Sequence, residues 1–410
     1  MFDIENYDKN SNAVEVGNLI FNEKKDEAKT KVGFFNKYGR VKLIRLGGTP
    51  SYGYLFSPNE LANVYPDVLN VNYNELIDYD FDTVCGELFV QVYVPPVKEG
   101  TPRASRGAKR QKKLQQFDRL VPGQFQFHYD TSQLNRCINE INTTDLVSIT
   151  VKLHGTSICL GNIKTKKPKY SGFYEKIYLY LPKFLQFTKE EYDLIYSSRT
   201  VIKNRYVNKK VTDGYYGTDI WGEYAEKLDG KIPQGTMVYG EIVGYITGSQ
   251  KMIQKGYDYK CPVGTNKLMI YRITTDNGDG TKFEWNISEV YEWTLKLMRD
   301  YPEISKYIHP IDVLYHGTLS QLYPDIDTTT HWHENVLEAM KKDKKHFGME
   351  MNEPLCNQKV PREGIVLRID NDTTPEAFKL KTDLFFGRES ALVSSGEVDI
   401  EMEEGYGEEN

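Results

Sequence analysis

The stretch "LVSITVKLHGTSICLGN", residues 146–162, decides how the chain is read. Val147, Ile149 and Val151 alternate with Ser148, Thr150 and Lys152, the period of a strand with one buried face. His154, Gly155 and Thr156 break that run, and a second apolar run follows, so the stretch reads strand, break, strand. Lys152 therefore stands at the end of a strand, on its polar side, beside a turn. One lysine beside a turn is ordinarily a solvated side chain. To act as a nucleophile it must be neutral, and at an unperturbed pKa of about 10.4 roughly one lysine in a thousand is neutral near pH 7.4. Burial or neighbouring charges have to supply the difference.

Other strand-like runs carry groups of the right kind. In "FKLK", Lys379 and Lys381 point to one face of a strand and Phe378 and Leu380 to the other, either a phosphate-binding wall or a solvated outer face. "VYGEIVGY" places Glu241, and "REGIVLRI" places Glu363, beside residues that should be buried. A carboxylate there needs a metal, a sugar hydroxyl or a cation, unless it is a strand-end acid open to water. "KLMIYRIT" supplies Tyr271, a core residue or a stacking surface. "LYHGTLS" (314–320) repeats the HGT triplet without a lysine and reads as an ordinary turn.

Composition sets the frame. A chain of 410 residues is long enough for two or three domains. No run approaches the roughly 20 apolar residues of a membrane span, and the start "MFDIENYDKNSNAVEV" lacks the pattern of a secretion signal. The cysteines Cys85, Cys137, Cys159, Cys261 and Cys356 are scattered without a C-x-x-C pair, which points to a reducing, cytoplasmic setting and no zinc site. The net charge of −6 conceals a tail, "EVDIEMEEGYGEEN", with seven acids; without it the rest carries +1. A near-neutral body with local basic patches is compatible with nucleic-acid binding.

The expected organisation is an OB-like β-barrel over 1–100, a basic linker over 101–116, a mixed domain over 117–390 and an acidic, solvated tail over 391–410. The linker holds Arg103, Arg106, Lys109, Arg110, Lys112 and Lys113 without apolar periodicity, a tether or a phosphate-contacting arm. "SEVYEWTLKLMRDY" and "HENVLEAMKKDKKH" read as helices, packed on the mixed domain. "KKDKK" (341–345) reads as a solvated face, and His331 and His333 in "THWHE" as a polar loop or helix start.

Taken in order, "KLHG", "SSRTVIKN", "VYGEIVG", "LMIYRIT", "EGIVLR" and "FKLK" resemble the motif series of the covalent nucleotidyltransferases, the superfamily of polynucleotide ligases and mRNA capping enzymes, over roughly residues 145–385. His154, where DNA ligases and capping enzymes usually have Asp, resembles the RNA ligase 2-like branch of ATP-dependent RNA ligases. The few residues after Lys381 leave no room for a C-terminal OB barrel, and "VKLIRLGGTPSYGYLF" resembles an OB segment placed ahead of the ligase domain.

The resemblance implies an α+β fold: an adenylyltransferase (ATP-grasp-like ligase) domain of antiparallel sheets with flanking helices, preceded by the small OB-like barrel. It implies a Lys152 that accepts AMP from ATP, with His154 and Gly155 in the nucleotide-binding motif. Arg199 and Glu241 would hold the ribose hydroxyls and Tyr271 would stack on adenine. Glu363 would bind Mg2+ or Mn2+, and Lys379 and Lys381 would grip the α-phosphate and depress the basicity of Lys152. It further implies a monomer acting on RNA ends, with nicked duplex, cleaved tRNA loop and single-stranded ends all open. Val151 departs from the pattern: relatives often carry Glu there to read the adenine amino group, so the choice of ATP over GTP would fall to Thr150 or backbone groups as substitute readers. The rival readings are a DNA ligase, a capping-type guanylyltransferase, and an inactive scaffold that binds RNA ends.

Overall fold

The computed structural model describes residues 120–394, apart from 129–130, 171, 200–201, 204–215, 217, 277–280 and 371–375, and a few short pieces between residues 44 and 88. Two compact units are distinguished, the larger spanning Pro102–Arg388. The described pieces of the first unit include two antiparallel ladders, Ile44–Leu46 with Thr49–Ser51 and Thr83–Val84 with Glu87–Leu88. A helical turn, Pro66–Asn70, is also described there, and the first residues of the expected tail end the helix Asp383–Ser394. Nearly all the rest of the expected OB-like region, the basic linker and the tail beyond 394 lie outside the described residues.

The described strands of the larger unit are, in chain order, β1 (Ser132–Gln133), β2 (Val147–Lys152), β3 (Thr156–Pro168), β4 (Thr188–Ser197), β5 (Ile202–Lys203), β6 (Thr236–Gly244), β7 (Asn266–Asp276), β8 (Lys282–Glu284), β9 (Ile308–Pro310), β10 (Val313–Gly317), β11 (Gly364–Ile369) and β12 (Glu376–Lys381). They form a five-stranded sheet in the order β10-β2-β11-β12-β1 and a seven-stranded sheet in the order β8-β7-β6-β3-β4-β5, with β9 added parallel to β7. Neighbours are otherwise antiparallel, except β12 with β1. The larger unit is thus a mixed α/β structure of antiparallel sheets with few helices.

The chain passes between the sheets at two points, Leu153–Gly155 from β2 to β3 and Ile311–Asp312 from β9 to β10. The opening stretch is therefore strand, crossover, strand, and Lys152 is the last residue before the crossover. The β2 alternation sends Val147 and Ile149 into a core shared with Ile365, Leu367, Phe378 and Leu380. Helix α3 (Trp332–Lys342) covers that side; Trp332, Val336 and Met340, spaced at i, i+4 and i+8, are buried there. Each such side chain contributes roughly 1.5–3 kcal/mol by leaving water.

The seven-stranded sheet is backed by α1 (Ile220–Leu228) and α2 (Ile287–Asp300), which bury Trp221, Tyr224, Val290 and Leu297 in its core. Helix α2 starts in a capping box, Asn286 with Glu289. A third apolar group, including Val151, Leu153, Val243, Met269, Ile287, Ile311 and Phe385, packs beside the crossover.

The second HGT triplet has more structure than a turn. His316 and Gly317 pair with Ser148 and Val147 as the end of β10. Thr318 then caps the short helix Leu319–Leu322 by accepting from the Gln321 amide, because a threonine hydroxyl can satisfy an otherwise orphan helix donor. His333 bonds through Nε2 to the Ile141 carbonyl at 2.9 Å, a helix-start residue tied to a neighbouring loop.

Candidate active site

Register brings the motif residues together. Gly364 on β11 is paired with Lys152 on one side and Lys381 on the other, and Val366 likewise stands between Thr150 and Lys379. Because strand side chains alternate, residues of both rungs face the same way, opposite to the apolar core. Gly364 has no substitute here. Its φ is +154°, and a Cβ would strike the Leu380 carbonyl and come within 2.8 Å of the Lys381 Cα. The absent side chain lets two lysine-bearing strands flank one rung.

The residue before Gly364 provides the countercharge. Glu363 is 1 % exposed. One carboxylate oxygen lies 2.8 Å from Lys152 Nζ and 3.2 Å from Lys381 Nζ, and the other lies 3.7 Å from His154 Nδ1. These contacts are ionic, and neither oxygen accepts a well-directed hydrogen bond. Burial alone would raise the Glu363 carboxyl; the charges of Lys152, then Lys381, then His154 outweigh it and hold the group at about 2. The chain therefore puts an anion between its two cations. Lys152 does not face bare positive charge, as the lysine pair on its own implied; in this arrangement its ammonium form is neutralised by Glu363.

The seven-stranded sheet supplies the opposite wall. Glu241 on β6 is paired with Ser157 on β3. One of its oxygens accepts from the Gly155 amide at 3.0 Å, the other from the Ser157 hydroxyl at 3.2 Å. Gly155 is required at this crossing, since a Cβ would strike the Ile242 carbonyl and lie 2.8 Å from Val243 Cγ1. Tyr271 sits at a β-bulge, where the β6 partner steps from Ile270 to Arg272. Its hydroxyl lies 3.4 Å from His128 Nδ1, and burial pushes its phenol well above the ordinary value, so it stays neutral.

Between the two walls lies a cavity with about 1030 Å³ of atom-free space, its open mouth included. Lys152, Arg199, Glu241, Tyr271, Lys379 and Lys381 all line it. Three expected site residues stand behind the lining. Glu363 is reached through Lys152 and Lys381. Gly155 gives its amide to Glu241. His154 packs edge-on between Tyr257 and Phe385, ring centroids 4.9 and 5.0 Å away, and its amide donates to the Tyr259 hydroxyl at 2.7 Å. The strand ends at Lys152, and the crossover turns His154 out of the cavity lining, with its Nδ1 3.7 Å from Glu363.

Thr150, an expected substitute reader of the base, lines the cavity on the Lys152 face of β2, and other lining residues were not singled out from the sequence. Ser148 continues the same face. Arg272 binds Glu284 through two hydrogen bonds, 2.9 and 2.8 Å, with its guanidinium 4.4 Å from the Tyr239 ring centroid. Arg368, paired with Ser148 across β2–β11, reaches Glu284 at 3.6 Å and Asp370 at 2.7 Å, so it ties the two sheets together at the cavity. The available signal was a charged residue inside each apolar run, "IYRIT" and "IVLRI", which period-two reading alone does not distinguish from a solvated face.

What this arrangement can do follows from its charges. Three lysines and three arginines around a cavity suit a polyphosphate. Glu241 suits hydroxyl donors, and Tyr271 offers a ring surface. Among the described residues no cluster of three or more His, Cys, Asp or Glu is placed to hold a metal ion. A divalent ion here would depend on Glu363 together with phosphate oxygens and water, which matches how Mg2+ is commonly held beside nucleotides. No described helix is long and apolar enough to cross a membrane.

A sequence profile described as RNA ligase matches residues 145–381. A search of curated proteins finds no significant match. Among solved structures, the chain is similar to variants of Naegleria gruberi RNA ligase. One with ATP and Mn and one with AMP and Mn each give 13% identity and a TM-score of 0.43, covering 86% of this chain and 77% of theirs. An apo variant gives 12% identity and a TM-score of 0.42, covering 94% and 83%.

Proposed function

The chain belongs to the RNA ligase family, since the matching profile spans more than half of it, and from that premise we propose that it is an ATP-dependent RNA ligase joining 3′-OH and 5′-phosphate RNA ends. The observation that carries the proposal is the convergence on one cavity of Lys152, Lys379 and Lys381 from one sheet with Glu241 and Tyr271 from the other.

In the proposed reaction the neutral Lys152 amine attacks the α-phosphorus of ATP. A phosphorus–nitrogen bond forms, the bond to pyrophosphate breaks, and the amine loses a proton. Lys379 and Lys381 offset charge on the α-phosphate, which is worth most when it develops in the transition state. Arg199 and Glu241 hold the ribose, and Tyr271 covers the base. An RNA 5′-phosphate then displaces Lys152 from the AMP phosphorus. Finally a 3′-OH attacks that 5′-phosphate and expels AMP. A bound Mg2+ or Mn2+, held by Glu363 and phosphate oxygens, would supply Lewis-acid stabilisation of phosphate charge. Before the first step Lys152 must leave its contact with Glu363 and lose its proton; Lys381, 3.2 Å from the same carboxylate, keeps it paired meanwhile. RNA repair by a cytoplasmic monomer, with an OB-like region over 1–100 contacting the RNA, completes the proposal.

The test is incubation with α-labelled ATP, or GTP in parallel, with magnesium or manganese, for wild type and Lys152→Ala. ATP label that survives denaturation and disappears in the variant is the expected result. Label from GTP would redirect the reading to capping chemistry and to Val151. No label from either, with folded protein free of prior adenylylation, would leave the scaffold reading.

A further inference from the structure

Strands β3 and β4 run well past the sheet. β6 pairs with β3 only as far as Asn162, while the β3–β4 ladder continues to Pro168 opposite Thr188. The hairpin starts at the cavity wall, where Ser157 and Arg199 lie. From Ser157 to Pro168 it reaches about 35 Å at strand rise. Its tip, "KYSGFYEKIYLYLPKFLQF" (169–187), contains seven aromatic residues, three lysines and a single acid.

The tip is folded around Tyr174 and Tyr178, yet its other five rings face solvent. The Tyr174 hydroxyl donates to the Leu185 carbonyl at 2.6 Å and accepts from the Phe187 amide at 2.7 Å. The Lys169 amide donates to the Phe187 carbonyl at 2.9 Å. Tyr174 also meets Tyr170 and Tyr178 edge-on, with ring centroids 5.3 and 5.9 Å apart. Around this scaffold Phe173, Tyr180 and Phe184 are 75 %, 87 % and 77 % exposed. Exposed rings held by a hydrogen-bonded frame are costly in water and mark an interaction surface. Cations sit with them: Lys169 Nζ lies 5.8 Å from the Tyr170 ring centroid and Lys164 Nζ 5.9 Å from that of Tyr192.

We propose that this tip is a stacking platform for single-stranded RNA, which holds the strand away from the end being sealed; the choice of RNA rests on the ligase reading above. Aromatic faces interleaved with lysines suit unpaired bases on a phosphate backbone, because every base has a π-face and every linkage a charge. An acidic protein surface would match the lysines but would not need the open ring faces. The distance to the cavity corresponds to about ten nucleotides at a stacked spacing of 3.4 Å, so the platform works apart from the nucleotide site.

The experiment uses the full chain and a fluorescent 5′-phosphorylated 20-mer of unstructured RNA, read by anisotropy. Phe173, Tyr180 and Phe184 are replaced together by Ala, by Leu or by Trp. Loss of stacking weakens the complex roughly ten- to hundredfold for Ala. Leu, which keeps apolar area without a π-face, is expected to be as weak as Ala, while Trp stays near wild type. Self-labelling from α-labelled ATP should be unchanged in all three, which also shows that they are folded. Unchanged RNA affinity in the Ala and Leu variants overturns the proposal. So does a loss confined to phosphatidylcholine–phosphatidylglycerol vesicles or to self-association, which would assign the rings to lipid or to a second copy. If wild type takes no label but RNA affinity follows the ring series, the ligase reading fails and the platform stands; normal labelling with indifferent RNA affinity is the reverse.

Discussion

At the scale of single residues, the site is organised by Glu363. It is buried, and its pairing is what allows Lys152 and Lys381 to stand on one rung. The pair has a definite pH signature. The carboxyl is lowered from 4.5 to about 2 in the folded protein, so the stability it contributes is present above the unfolded value and lost as pH falls from about 4.5 towards 2. The shift corresponds to about 3 kcal/mol. Glu363→Gln should therefore be less stable than wild type by that order at pH 7, with a gap that stays constant down to about pH 5 and closes below it. Urea unfolding midpoints at pH 7, 5, 4 and 3 check this. A gap that does not narrow would mean that the charge pairing is not its source. The sequence placed Glu363 beside an apolar run, either with a partner or as a strand-end acid open to water. It could not show which cation, because that depends on the register of β11 between β2 and β12.

At the scale of elements, two glycines govern the geometry, and the strands are the part most readable beforehand. The five runs around Lys152, Glu241, Tyr271, Glu363 and Lys379 all form strands: those of Lys152 and Lys379 alternate apolar and polar residues, and the other three are short, nearly continuous apolar runs with a break at the end. The two main helical runs form α2 and α3. What escaped was whatever depends on contact between sheets. Arg272 and Arg368 meet at Glu284 from different sheets, and the turn of His154 away from the cavity follows from the crossover. Gly364→Ala tests the close approach of strands: the added methyl must displace the Leu380 carbonyl, and with it the rung that carries Lys381. We expect self-labelling to fall at least a hundredfold, since displacement of a catalytic group by about 1 Å has that effect, while far-UV circular dichroism remains close to wild type. Trp332→Ala acts on the other face of the sheet. It empties a buried site behind β2 and β11 and should cost about 3–5 kcal/mol by denaturant unfolding.

At the scale of the whole chain, the distribution of charge makes the last prediction. Apart from His128 and Thr131, the residues around the cavity lie within the 145–381 family match, whereas the densest basic run lies ahead of it, in 101–116. We propose that this run binds the RNA backbone outside the nucleotide site. Removing one cation that neutralises a phosphate flattens the dependence of log affinity on log salt by about 0.7 for single strands and about 0.9 for a duplex. Replacing Arg103, Arg106, Lys109, Arg110, Lys112 and Lys113 by Gln should then reduce the slope by about 4 on single-stranded RNA and about 5 on duplex if all six are engaged. Affinity at low salt should drop steeply, and self-labelling with ATP should not change. Anisotropy titrations from 50 to 200 mM salt, on a nicked duplex and on a single strand, measure both slopes. A single-strand slope reduced with the duplex slope intact would assign the run to the unpaired part of the substrate, next in kind to the aromatic tip. The reverse would assign it to the duplex flanking a nick. Slopes equal to wild type on both would make the run a solvated tether, whose positive charge acts only on the rate of encounter.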